Sequence, residues 1–239
     1  MISIVMPAHN EEGYVGPAVK RVIDGLQGTG LEFEIIVSEN GSGDRTVAEA
    51  EALVRTHPEV RVLRAPTPDY GKALRTGFLT ARGDVVVNLD VDFVDMDFVA
   101  QALHGMAEGT VAIVIGSKRM AGAHDQRGFG RKLVTGAFSN LLRYGFGLKV
   151  SDTHGVKALR RAPLEPLVKV CLFGKEIFDT ELVLRAERAG LRVVEIPVTV
   201  TDQRPARTSI LRRIPRTLVG LARLRLALWR EGRRKTPGG

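Results

Sequence analysis

Four short apolar runs, ISIVMP, FEIIVSE, VRVLRA and DVVVNLD, are spaced through the first 95 residues, and stretches of helical periodicity lie between them at Gly16 to Gln27, Thr46 to His57 and Gly71 to Ala81. This is the rhythm of repeated βαβ units. Ile35 to Val37 and Val85 to Val87 do not alternate polar with apolar, so these strands are expected to be covered on both faces, as in a parallel sheet between helical layers. An α/β fold with a mostly parallel central sheet follows.

Residues 1–95 read as a Rossmann-like nucleotide-binding half. Ligands of such sheets gather at the carboxyl ends of the strands, and the residues there are unusually polar: PAHNEE after the first run, SENGSGDRT after the second, LDVDF after the fourth. In an extended segment Asp90 and Asp92 share a face, so both carboxylates can approach a hard divalent cation, or the ribose and phosphates beside it. Glu39 sits at a strand terminus, where a carboxylate accepts hydrogen bonds from a ribose or a base edge. Asn40, Gly41, Ser42, Gly43 and Asp44 are turn-forming, and Thr46 is placed to cap the next helix. The G-x-G-x-x-G fingerprint is absent, which argues against NAD and FAD.

Composition limits the remaining classes. With 239 residues, 44% apolar and 26% charged, one compact globular domain is expected. Cys171 is the single cysteine, so no disulfide framework or cysteine metal site is available; it reads as a small buried hydrophobe in a reducing, cytoplasmic setting. Met1 leads directly into an apolar strand with no signal-peptide order, and no run of eighteen apolar residues offers a membrane span. The chain is expected to be soluble or peripheral.

The clusters PAHNEE, ENGSGDRT and GKALRTGFLTARGDVVVNLDVD, in this order, resemble the family 2 inverting glycosyltransferases of GT-A fold, and within them the polyprenyl-phosphate, dolichyl-phosphate mannose synthase-like group. GSKRM, SDTHGVKALRR and FDTELVLRAERAGLRVVEIPV also match, so the resemblance covers residues 2–209. It implies a glycosyltransferase domain over 1–209, with a nucleotide-sugar half at 1–95 and an acceptor half at 96–209. Pro7, Ala8, Asn10, Glu11 and Glu39 would line the donor pocket, flanked by Lys72 and Arg75, while Asp90 and Asp92 would hold Mg²⁺ or Mn²⁺ on the diphosphate. Lys72 and Arg75 lie at helical spacing and equally suit a solvated face. The family usually has an acidic pair where Glu39 and Asn40 stand, and a further polar metal ligand where Val94 stands, with Asp95 as the alternative ligand.

The acceptor half carries Arg119 and Arg131, whose planar guanidinium groups suit phosphate, and Arg204, where the family tends to place a basic residue for the acceptor phosphate. Asp152 is expected after a strand, aimed into the cleft. It would act as general base toward an alcohol, or merely orient a phosphate acceptor that is already ionised. His154 reads as structural. Phe178 opens a helix that packs Leu182, Leu184 and Ala186 and stops at Gly190. The implied reaction moves a hexose from a GDP- or UDP-sugar, with mannose from GDP-mannose favoured, to a polyprenyl phosphate at the cytoplasmic membrane face. A soluble hydroxyl acceptor and a catalytically silent nucleotide-binding scaffold are the competing readings.

From Arg204 to the end the net charge is +10, which leaves the preceding 203 residues at −2. Over 210–239 the pattern is a basic amphipathic helix: Arg212, Arg213, Arg216, Arg223 and Arg230 on one side, Leu211, Ile214, Leu218, Leu221 and Leu228 on the other, Arg225 out of pattern, and Pro215 opening the main helix. An anionic membrane surface, with Trp229 at headgroup depth, is the expected partner; packing on the body or on another subunit is the alternative. No nucleic-acid-binding motif accompanies the charge.

Overall fold

The computed structural model of the chain describes residues 1–125, 129–175, 177–200 and 210–235; for 124–125, 129–132, 210–213 and 232–235 it describes the backbone alone. The elements run β1 (Ile2–Ala8), α1 (Val15–Leu26), β2 (Phe33–Asn40), α2 (Thr46–Thr56), β3 (Val60–Ala65), α3 (Tyr70–Thr80), β4 (Val85–Asn88), α4 (Met96–Met106) and β5 (Val111–Ser117). They continue with β6 (His124–Asp125), α5 (Phe129–Phe146), β7 (Lys157–Arg160), α6 (Arg161–Val170), α7 (Phe178–Arg188), β8 (Arg192–Pro197), β9 (Thr199–Val200) and α8 (Ile210–Lys235).

Seven strands form one sheet in the order β3-β2-β1-β4-β7-β5-β8, parallel except that β7 runs antiparallel to both β4 and β5. β1 is buried along its whole length and separates two apolar layers. Ile2, Ile4, Met6 and Ala8 join α1 and α4 on one face, while Val5 joins α3, α6 and α7 on the other. Alternate side chains of a strand point to opposite faces, so a strand buried on both sides is apolar at nearly every position, and the buried Ser3 is satisfied by donating to Glu34 Oε1 at 2.7 Å. On α1, Val15, Val19, Val22, Ile23 and Leu26 fall on one stripe and are buried.

β1 pairs with β2 up to Ala8↔Glu39 but with β4 only up to Val5↔Asn88. Pro7 therefore lies past the last β4 partner, where its missing N–H breaks no ladder on that side. The chain order reverses direction between β1 and β4, and in sheets of this kind the ligand crevice lies at such a reversal, at the carboxyl ends of the strands.

The C-terminal helix differs from the expected pattern. Leu221, Leu224 and Leu228 are buried in the same cluster as α7 and β5, so this face packs on the body and is not presented to lipid. Arg225 leaves the arginine stripe because it reaches α5, with one terminal guanidinium nitrogen donating to the Gly145 carbonyl and its charge 6.0 Å from the Phe146 ring centroid. The helix begins at Ile210, so Pro215 lies inside it and does not open it. α7 ends as expected at Gly190, with φ 74°, where Gly190 N–H donates to Glu187 O and Leu191 N–H to Ala186 O in a Schellman cap.

Candidate functional site

Loops from β1 and β2 are knitted together at the crevice. Asn10 sits at φ 55°; its N–H donates to Ser42 Oγ at 3.0 Å and its Oδ1 accepts from Gly43 N at 2.8 Å. Glu11 N–H donates to Thr46 Oγ1 at 2.7 Å, so Thr46 braces the β1 loop, while Asp44 accepts the Thr46 amide at 3.0 Å. Gly41, at φ +66°, approaches the Thr67–Pro68 backbone so closely that a Cβ would lie 2.8 Å from the Thr67 carbonyl carbon. Pro7 and Ala8 are buried in β1 beside Ser38 and Glu39. Glu39 is 3% exposed and its Oε1 accepts the Ser42 amide, while Asn40 Oδ1 accepts the Asp69 amide. Asn40 thereby joins β2 to the start of α3.

The carboxylate pair sits differently from the extended reading. β4 ends at Asn88, and Asp90 to Phe93 form a turn closed by Phe93 N–H to Asp90 O at 2.9 Å. Asp90 is half-buried and Asp92 exposed. Burial, with the Asp92 charge adding to it, pushes the Asp90 carboxyl up to about 6, although Tyr70 Oη donates to it at 2.9 Å. The same burial and the charges of Asp90 and Asp179 raise the Tyr70 hydroxyl well above its ordinary value. Asp95 is not free for a ligand role, since its Oδ1 caps α4 through the Phe98 amide at 2.9 Å.

Next to this pair stands a cluster the sequence reading missed. Lys157 is 1% exposed, its Nζ 2.9 Å from Asp179 Oδ1 and 2.7 Å from Gly155 O. Asp179, read from the sequence only as a helix-dipole residue, is thus half of a buried ion pair facing the Asp90 region. Asn88 Oδ1 has no hydrogen-bond partner among the described residues and borders, with Lys157 and Asp179, a cavity of ≈ 10 Å³, room for one water. The available signal was a lysine inside the apolar run Val156–Leu159.

The other expected residues fall in three places. Lys72 is exposed on the first turn of α3, while Arg75 turns away from the crevice and donates to Lys169 O at 2.7 Å, closing the end of α6. Asp152 precedes β7 in a loop, with no strand before it. It is 3% exposed, with Lys118 Nζ 3.2 Å from one oxygen and the His154 amide 3.0 Å from the other. Burial alone would raise this carboxyl; Lys118 and the His154 amide outweigh it and hold it below its ordinary value. Glu195 fixes the loop by accepting the Ser151 and Asp152 amides at 2.8 and 3.1 Å. Arg119 lies against α5, 3.2 Å from where a Cβ of Gly136 would stand. The Arg131 side chain and Arg204 lie outside the described residues.

No group of three or more His, Cys, Asp or Glu residues is arranged for a metal ion among the described residues. A magnesium-type cation needs only one or two carboxylates when a substrate diphosphate supplies further oxygens, and two carboxylates at one crevice, one of them half-buried, suit that arrangement. The model of glycosyl transferase family 2 matches residues 3–168. The chain belongs to glycosyl transferase family 2. Its seven-stranded, mostly parallel sheet with flanking helices is the GT-A fold. It is similar to glycosyltransferase AglD of Haloferax volcanii, 29% identical over 89% of this chain and 35% of that protein, so it spans about a third of that relative's length. It is 28% identical to an undecaprenyl-phosphate mannosyltransferase of Micrococcus luteus, over 83% of each chain. Among solved structures, glucosyl-3-phosphoglycerate synthase from Mycobacterium tuberculosis, in complex with Mn²⁺, UDP and glucosyl-3-phosphoglycerate, superposes with a TM-score of 0.63 at 25% identity, over 86% of this chain and 73% of that one.

Proposed function

We propose that this glycosyltransferase moves a hexose, with inversion, from a nucleotide sugar to a polyprenyl phosphate at the cytoplasmic face of a membrane, with GDP-mannose as donor. The observation that carries the transfer is the Asp90–Asp92 pair at the crevice, where burial and the Asp92 charge raise the Asp90 carboxyl despite the nearby Lys157 ammonium. These two residues would hold Mg²⁺ or Mn²⁺ against the diphosphate, and the ion would neutralise charge developing on the leaving nucleoside diphosphate. Asn10, Glu11 and Glu39 would shape the donor side, with Lys72 at its rim. An acceptor phosphate oxygen attacks the anomeric carbon as the bond to the diphosphate breaks and its electron pair leaves with the diphosphate. Arg119, Arg131 and Arg204 would hold that phosphate in line.

The state of Asp152 supports a phosphate acceptor. A phosphate monoester is largely ionised at pH 7 and needs no general base, and Asp152, held ionised by Lys118, is a weak one. The likeness to a synthase named for glucosyl-3-phosphoglycerate favours the second reading, a soluble acceptor. Incubation with labelled GDP-mannose or UDP-glucose, a short-chain polyprenyl phosphate and Mg²⁺ or Mn²⁺ is expected to carry label into the organic phase. Asp152→Asn should lower turnover by less than about tenfold; a loss on the order of 10² to 10⁴ would identify an alcohol acceptor instead.

No helix among the described residues is long and apolar enough to cross a membrane. With Leu221 and Leu228 taken by the body, the face of α8 left for lipid is a second one: Leu218 is 49%, Leu226 44% and Trp229 52% exposed. Arg223 and Arg230 flank it, so the helix lies in the headgroup plane with apolar residues inward and arginines on anionic lipid. Trp229 is the single tryptophan, so its emission reads the contact directly. A blue shift is expected with phosphatidylglycerol vesicles and not with buffer alone; unchanged emission alongside vesicle co-sedimentation would mean another face binds.

A further inference from the structure

A groove of ≈ 520 Å³ runs between Phe173, Gly174, Lys175 and Ile177 on one side and the first half of α8 on the other. Phe173, Ile177 and Val219 give it an apolar floor, and Lys175, Arg216 and Arg223 supply its cations. None of the three cations has a carboxylate partner among the described residues, in contrast to Arg185 and Arg45, which do. Among the described residues that line the groove the one acid, Asp69, is occupied: its Oδ1 accepts the Lys72 amide at 3.0 Å and the Lys175 amide at 2.7 Å.

The walls are held by close backbone approaches. A Cβ on Gly71 would lie 2.7 Å from the Gly174 carbonyl carbon, and one on Gly220 would lie 2.8 Å from Ile177. Both glycines therefore let a helix press against the 173–177 loop, which fixes Lys175 opposite Arg216 and Arg223. An array of cations from two elements above an apolar floor suits a phosphate carried on hydrocarbon.

We propose that this groove seats the headgroup phosphate of an anionic glycerophospholipid, so that α8 binds one lipid molecule specifically as well as the bilayer surface generally. The proposal rests on the membrane-contact reading of α8 and not on the identity of donor or acceptor. Val219, 52% exposed, opens the groove onto the exposed apolar face of the helix, so the acyl chains would continue from the groove into the same leaflet. Lys175 distinguishes this arrangement from nonspecific attraction, because it belongs to a loop and not to the basic helix.

The test uses the full chain with phosphatidylglycerol–phosphatidylcholine vesicles and with soluble dihexanoyl-phosphatidylglycerol. Each surface cation contributes about fivefold to vesicle partitioning. Lys175→Gln is expected to lower partitioning by at least that much, and Arg216→Gln with Arg223→Gln by more than about twentyfivefold. Lys20→Gln, on the exposed face of α1, should change nothing. Dihexanoyl-phosphatidylglycerol should protect Lys175 from acetylation, with no protection from inorganic phosphate at equal concentration. Equal partitioning of the Lys175 and Lys20 variants, or equal protection by inorganic phosphate, overturns the proposal. Sugar transfer to a short-chain acceptor in detergent is read separately, so loss of the lipid site and loss of the glycosyltransferase reading give different results.

Discussion

Asp90→Asn is expected to stabilise the metal-free protein at pH 7.5 while removing most sugar transfer. The carboxyl of Asp90 is pushed from 3.8 to about 6 by burial and by Asp92, so the native state holds its proton more tightly than the unfolded chain does. Stability from this group is therefore present below about pH 4 and lost as pH rises through 6, at a cost on the order of 3 kcal/mol at neutral pH. An amide carries no charge to desolvate, and its oxygen still accepts from the Tyr70 hydroxyl. Urea denaturation in EDTA should show the variant ahead of the parent by roughly that amount at pH 7.5, with the gap closing at pH 4. Added Mn²⁺ should stabilise the parent and not the variant. Transfer should fall by about 10² to 10³, the usual loss when one group stabilising transition-state charge is removed. A variant less stable than the parent at pH 7.5, or one that keeps its activity, would refute the assignment of Asp90. The opposition of the two effects is what separates a binding residue from a structural one: a buried carboxylate whose charge Lys157 only partly offsets costs the empty fold and serves the loaded one.

The parallel half of the fold was legible because its signals are local. Runs such as Val85–Asn88 are apolar on both faces, and the helices between them repeat their apolar residues at helical spacing, so α1, α2 and α3 lie within a residue of their expected bounds. β7 and α6 were not legible. β7 is four residues long and inserts antiparallel between distant strands, and α6 contains Pro166 and begins Arg-Ala-Pro. The carboxylate pair was legible as a pair but not as a turn, because Asp90 to Phe93 has no glycine or proline to mark one. Lys157 and Asp179 stand 22 positions apart in sequence and meet only through the packing of α7 on the sheet, so neither spacing nor motif could pair them. The tail was half legible: its amphipathic period was visible, yet a period cannot say which apolar stripe the body takes and which it leaves free.

The tail is also tied to α7 by a partly buried ion pair, and Arg185→Met is expected to cost about 3–5 kcal/mol. Glu181 is 0% and Arg185 7% exposed, with Arg185 Nε 2.8 Å from Glu181 Oε1 and its two terminal nitrogens 2.8 and 3.0 Å from the Glu231 oxygens. Burial opposes the Arg185 charge, and the bonds to Glu231 and Glu181 more than offset it. Methionine would leave a buried carboxylate holding only the Leu172 and Phe173 amides, and would cut the fork that joins α7 to α8. Glu231→Gln removes only the half-exposed end of the network and should cost about 1 kcal/mol or less. Adding Glu181→Gln to Arg185→Met should recover part of the loss, because the uncompensated charge goes with it. Urea denaturation decides the matter: Arg185→Met within about 1 kcal/mol of the parent, or its double variant with Glu181→Gln no better than Arg185→Met alone, would rule out the charge argument. Vesicle binding should weaken in the single variant as well. The same carboxylate that pairs with Arg185 fixes the start of the 172–177 loop, so releasing it loosens both walls of the lipid groove together.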